Sequence, residues 1–271
     1  METDTSASQP AGEVQTAKQQ PIAVRRIKSE DLIDAVASGL RDFRAAPLYG
    51  LFFGAVYAAG GWIIVLLLWK FGLPYFAYPM AMGFALIAPF VVVGLYAVSY
   101  AREKGEPLSW SSVLGAIRGS GRRDLRWMAL ITAFAFVLWM DIAALSSFAF
   151  LNFRSLTPDI INELFTTPSG LLFLLIGNAL GAIIAFAIFS IALTSFPMLF
   201  EHDLDFVTAM STSVRAVAAN PVLMAVWCAV IAILVIISVA SAFLGLLVVL
   251  PILGHASWHL YRKLIPPLPA R

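Results

Sequence analysis

VLMAVWCAVIAILVIISVASAFLGLLVVLPILGHASWHL, residues 222–260, runs for 39 positions without an Asp, Glu, Lys or Arg. One straight helix of that length would measure about 58 Å, nearly twice the hydrocarbon thickness of a bilayer. The run therefore folds back on itself, around residues 241–245, and supplies two membrane spans. Working outward, further apolar runs of span length occupy 170–196, 127–150, 76–100 and 48–69. With 60% hydrophobic and 13% charged residues among 271, the chain lies outside the range of soluble domains. The expected fold is an all-α polytopic bundle of six transmembrane helices in three pairs.

Charge sets the orientation. Sixteen of the eighteen Lys and Arg residues fall on one side of the six spans, leaving Lys70 and Arg154 on the other. Basic loops stay in the cytoplasm, so both termini are expected there, in a bacterial inner membrane. Tyr49, Trp127, Trp258 and Tyr261 mark inner edges, and Trp69, Tyr75 and Tyr78 outer ones. Residues 1–24 are polar and without an apolar h-region, and read as a disordered cytoplasmic tail rather than a cleavable signal. Residues 25–265 form one six-span domain, with 266–271 a short tail. The single cysteine, Cys228, lies inside the fifth span.

Each pair of spans is preceded by an amphipathic stretch. DLIDAVASGLRDFRAAP (31–47) and DFVTAMSTSVRAVAANP (205–221) align without a gap. Leu32, Ile33, Val36, Leu40 and Phe43 meet Phe206, Val207, Met210, Val214 and Val217, while Arg41 meets Arg215. These apolar positions recur with helical period, and Pro47 and Pro221 end each stretch where a span begins. A weaker copy at 109–123 places Arg118 opposite Arg41. The pattern predicts three units, about 29–104, 105–200 and 201–265, each an amphipathic cytoplasmic helix with two spans.

The segments GLRDFRAAPLYGLFFGAVYAAGGW (39–62), SFPMLFEHDLDFVTAMSTSVRAVAANP (195–221) and LLVVLPILGHASWHLYRKL (246–264) resemble an uncharacterised bacterial integral membrane family, domain of unknown function 2189. The resemblance covers nearly everything after residue 25 and implies no established activity. Some members bear the label of putative cytochrome c oxidase subunit. A catalytic oxidase subunit would need six histidines over about twelve spans. This chain has three histidines, too few for that, while a cofactor-free accessory or assembly role remains open.

Few polar groups offer chemistry. His255 and His259 share a helix face at i, i+4, and His202 lies between Glu201 and Asp203. Together they suit either a transition-metal or haem site, or ordinary hydrogen bonding at helix ends. Asp141 is the one carboxylate deep inside a span, level with Asn178 and close to Ser146 and Ser147. A charge there costs on the order of 3 kcal/mol on insertion scales, so it is expected to face the bundle interior with a partner. It would serve as a proton or cation site, or simply join spans three and four. Gly50 with Gly54, and Gly177 with Gly181, form GxxxG pairs for close helix packing. Arg41, Arg118, Arg122, Arg123, Arg126 and Arg215 face anionic lipid headgroups.

No P-loop, dinucleotide fingerprint, metalloprotease helix or serine elbow is present. The leading expectation is a non-enzymatic scaffold or assembly component of a membrane complex, with no cofactor and no nucleic acid among its partners. Two rivals stand beside it. One is a small-solute or lipid transporter with Asp141 in its path, the other a haem- or metal-binding accessory subunit.

Overall fold

The computed structural model describes residues 21–70, 77–119, 123–151 and 158–268. These residues form helices α1 (Ser29–Ala45), α2 (Pro47–Trp69), α3 (Ala77–Lys104), α4 (Trp110–Gly119), α5 (Arg123–Leu151) and α6 (Pro158–Thr166). They are followed by α7 (Pro168–Ala192), α8 (Ser195–Glu201), α9 (Phe206–Ala219), α10 (Pro221–Ala240) and α11 (Leu246–Leu264). Among the described residues there is no strand.

Among the described residues, four stretches are long and apolar enough to cross a membrane: Pro47–Leu67, Asp124–Phe150, Pro168–Glu201 and Pro221–Ala240. The other two expected spans coincide with α3, 28 residues long, and α11, 19 residues long. Helix α11 carries two histidines, Arg262 and Lys263, and it lies at the centre of the molecule rather than on its surface. His255, Ala256, Trp258, Leu260 and Leu264 on it are fully buried.

The turn between α10 and α11 falls at 241–245, where the length of the apolar run places it. Ala242 and Phe243 adopt left-handed backbone conformations there, with φ of 56° and 65°. The Gly245 N–H donates to Ser241 Oγ and closes the turn. The fourth apolar run, read as continuous to residue 196, instead breaks at Leu193 and Thr194 before α8. Pro197 is the cause: it has no N–H for the Leu193 carbonyl, and its ring crowds that carbonyl. The short helix α6 was not expected either.

Helices α1 and α9 share one local design. Each ends on a residue of nearly the same conformation, Ala46 at φ −137°, ψ 55° and Asn220 at φ −135°, ψ 47°, followed by a proline that starts a span. In each, the arginine donates to a hydroxyl three residues earlier, Arg41 to Ser38 and Arg215 to Thr212.

The apolar face is divided, however, with Leu32, Phe206, Met210 and Val217 on the core and other members turned outward. Helix α1 buries Ala35, Gly39 and Asp42, and leaves Ile33 68% exposed. Helix α9 buries Ala209, Thr212, Ser213, Ala216 and Val217 while Val207 and Val214 are exposed. Small residues win the inner side because the backbones approach closely. A Cβ on Gly39 would sit 2.5 Å from the Ala256 nitrogen of α11.

Both ends of the described chain meet at one end of the bundle. The Arg25 N–H donates to the Leu264 carbonyl, and the Ile27 N–H to Asn220 Oδ1. Ile22 and Val24, within the stretch expected as tail, pack on the core, and residues 21–28 form a strap across this end. Residues 1–20 lie outside the described residues.

Candidate functional site

Two features stand one above the other around α11. Toward its C-terminal end the helix meets polar partners on several sides. His255 Nδ1 and Ser99 Oγ of α3 are 2.8 Å apart. His259 Nε2 lies 2.7 Å from Asp42 Oδ2, and Arg102 Nε donates to Asp42 Oδ1 at 2.8 Å. The Trp258 indole N–H and Arg262 Nε both donate to Glu103, each at 3.0 Å. The Arg262 fork continues to Glu201 of α8 through Nη1 and Nη2, each at 2.7 Å, and Tyr261 donates to the same carboxylate at 2.7 Å. Lys263 reaches Asp34 at 3.3 Å and Asp31 at 3.5 Å.

One helix thus ties α1, α3 and α8 together through paired charges. Pairing is what makes these groups tolerable in a packed interior. Burial alone would raise the Asp42 carboxyl, but hydrogen bonds from His259, Arg102 and Ser99 outweigh it and hold it at about 2.

Next to this polar end, α3, α5, α7, α10 and α11, with Phe196 of α8, line an open cavity of about 530 Å³. Phe136, Trp139, Ile184, Phe189 and Leu253 supply much of its wall. Thr132 and Ser257 also line it, but their hydroxyls donate to carbonyls of their own helices, Ala129 at 2.9 Å and Leu253 at 2.8 Å. What remains open to an occupant is hydrocarbon-like. Tyr96 also lines the cavity, and its ring packs 5.8 Å from that of Trp258, so an aromatic layer separates the cavity from the charges. At Gly181 and Gly254 the wall is tight: a Cβ would crowd the Trp139 ring at the first and the Leu95 side chain at the second.

Residues 77–201 match the model of the family described as "Predicted integral membrane protein (DUF2189)". No curated protein and no solved structure matches the chain. The DUF2189 stretch runs from α3 to the end of α8. It therefore holds four of the six helices that line the cavity, together with Arg102, Glu103 and Glu201. Of the three segments that carried the resemblance, only 195–201 falls inside it, and the DUF2189 description carries no oxidase label.

The residues singled out in the sequence distribute as follows. His255 and His259 point to different partners, Ser99 and Asp42, and His202 Nε2 lies 3.3 Å from Glu201. Asp203 is exposed. Among the described residues no three His, Cys, Asp or Glu side chains converge as a metal site does.

Asp141 and Asn178 do not meet inside the bundle; both are exposed. The α5–α7 contact at that level is made instead by Trp139 on Gly181, which fills the space an interior Asp would need. Asn178 donates to the Leu174 carbonyl and Ser146 to the Ile142 carbonyl, each along its own helix. The Ser147 side chain lies outside the described residues.

Gly50 and Gly54 face α11 at Pro251 and Leu247, whereas Gly177 borders open space. Arg41, Arg118, Arg126 and Arg215 are exposed; Arg122 and the Arg123 side chain lie outside the described residues.

Asp42, Ser99, Arg102, Glu103 and Arg262 did not stand out in the sequence. Asp42 had one usable signal: its counterpart in the aligned segment is Ala216, so a carboxylate replaces a core alanine.

Proposed function

We propose that this protein binds a single-chain, lipid-like molecule between α3, α5, α7, α10 and α11, and holds or passes it within the bilayer without catalysing a reaction. The observation that carries this reading is the apolar cavity. Its volume suits a small ligand. Along α7 its lining extends from Gly181 to beyond Ala192, roughly 17 Å of helix, close to the half-thickness of a hydrocarbon core. An acyl chain fits such a space, and the internally bonded hydroxyls favour an apolar body over a polar solute. The reading calls for neither haem nor metal.

The accompanying topology is six spans, with α3 and α11 as the second and sixth, in a bacterial inner membrane with both chain ends cytoplasmic. Support comes from the meeting of residues 21–28 with the end of α11, and from the basic residues gathered there. Arg41, Arg118, Arg126 and Arg215 then face anionic headgroups.

The test is binding of a fluorescent long-chain fatty acid to the purified protein, with Ala185→Trp as the cavity-filling variant. Saturable binding that falls about tenfold or more in the variant, at unchanged helical content, is expected. Absence of saturable binding, or equal binding by both proteins, defeats the reading.

A second reading, a docking component for another membrane protein, draws on the exposed Ile33 and Val207 faces of α1 and α9. Its test is recovery of one reproducible partner on mild extraction, lost on Ile33→Lys.

A further inference from the structure

His255 is fully buried, and its ring is served on one side alone. Nδ1 meets Ser99 Oγ at 2.8 Å, whereas Nε2 finds no hydrogen-bond partner among the described residues. A bare polar atom in a sealed interior is a cost. The site nevertheless has a connection to water. Ser99 also bonds to Asp42, and Asp42 Oδ2 lies 2.7 Å from Nε2 of His259, whose side chain is 22% exposed. A hydroxyl donates and accepts at once. A proton that enters at the Asp42–His259 pair can pass to Ser99 as Ser99 gives its own to His255 Nδ1. The hydroxyl and the carboxylate then end as they began.

The surroundings give the new charge no partner. Helices α1, α2, α3 and α10 pack against α11. The charges they bring near His255 are Asp42 of α1 and Arg102 of α3, and α11 itself adds His259. Helices α2 and α10 carry no Asp, Glu, Lys, Arg or His. Asp42 is already engaged by Arg102 and His259. Of the remaining carboxylates, Asp34 meets Lys263, and Glu103 meets Trp258 and Arg262. Protonated, His255 would hold one N–H toward Ser99 and a second toward no acceptor, and relief requires water.

The helix that can admit water is α1. It covers α11 from Ile252 to His259, with Gly39 on Ala256 and Asp42 on His259, and His255 lies within that stretch. The spans beside α11 are held by the bilayer, and α1 is not one of the membrane-spanning stretches. We propose that His255 is a proton-operated latch: charged through Asp42 and Ser99 it lifts α1 off α11, and uncharged it lets the seam close. Closure therefore holds above the ordinary range of histidine, about 6.5, and weakens as pH falls through it. This is independent of what the cavity holds.

Acidification tests it. In a Cys228→Ser background, modification of Ala35→Cys on the buried side of α1 by a methanethiosulfonate reagent is measured relative to Ala45→Cys at its exposed end. That ratio should rise about tenfold or more between about pH 7.5 and about pH 5.5. The same ratio for Ala216→Cys, equally buried on α9, should not change. His255→Asn, which keeps a group for Ser99 but takes up no proton, should abolish the rise. In the unmodified protein, exchange of the His255 ring C–H in deuterated water, read by mass spectrometry, should titrate over the same pH range as the opening. A ratio that stays fixed, a rise shared by Ala216→Cys, a rise that survives His255→Asn, or a ring that titrates outside that range overturns the proposal.

Discussion

His259 Nε2 lies 2.7 Å from the Asp42 carboxylate, joining α11 to α1 across 217 residues of chain. Arg102 completes the group from α3. One carboxylate therefore joins three helices at a single point. Asp42→Ala should leave Arg102 and His259 facing an apolar gap and lower stability by about 2 kcal/mol or more. Thermal unfolding in detergent measures this, and Ala46→Ser, nearby but outside the network, serves as the control.

The same carboxylate gives a pH dependence. Its value in the folded protein, about 2, lies below the ordinary 3.8. A depressed carboxyl stabilises the fold fully above its unfolded value and loses that contribution as pH falls through the folded one. Between about pH 4 and pH 2 the wild type should therefore lose stability that Asp42→Asn never had. The two melting curves should converge at the acid end, and parallel curves would contradict this.

Arg262 and Lys263 are adjacent but should behave differently. Arg262 grips Glu201 through both terminal nitrogens at 2.7 Å and lies over the Trp258 ring at 4.7 Å. Lysine supplies neither the fork nor the flat stacking surface, so Arg262→Lys should cost about 2 kcal/mol. Lys263 reaches exposed carboxylates at 3.3 and 3.5 Å, and Lys263→Ala should change stability by less than about 1 kcal/mol.

Asn220 does two jobs at once: its Oδ1 accepts from Ile27 and its Nδ2 donates to the Arg25 carbonyl at 3.0 Å. Asn220→Ala should release the strap while leaving the spans intact. Hydrogen exchange or limited proteolysis at residues 21–28 should rise sharply, with no matching change in α10.

Gly39→Val should prevent α1 from lying on α11, because the new side chain would meet the Ala256 backbone. The expected outcome is protease sensitivity throughout α1, larger than that produced by Ile33→Val on the opposite, exposed side.

Much of the architecture was readable from the chain, and for identifiable reasons. A run of 39 uncharged residues is too long for one crossing, so the turn at 241–245 follows from length alone. Pro47 and Pro221 mark helix junctions because proline cannot continue a hydrogen-bonded ladder. The inward face of α1 was not readable. Hydrophobic period tells core from water, but beside a membrane the apolar side also faces lipid, and Ala35 and Gly39 take the inside by being small. Asp141 misled for a related reason: depth along a helix can be counted, whereas azimuth depends on which neighbour arrives, and Trp139 arrived first. The Glu103–Arg262–Glu201 chain was hidden because Glu103 and Arg262 read as ordinary interfacial charges, and Glu201 as a neighbour of His202, until three helices converge.

The fit of Gly39 against Ala256 has a bearing on biogenesis. During synthesis the first helix leaves the ribosome long before the last, and its small-residue seam stays vacant until nearly the whole polypeptide has been made. Maturation therefore ends with a ring closure in which the newest segment captures the oldest. Any nascent chain truncated before α11 is left with an uncovered seam that quality-control proteases can engage.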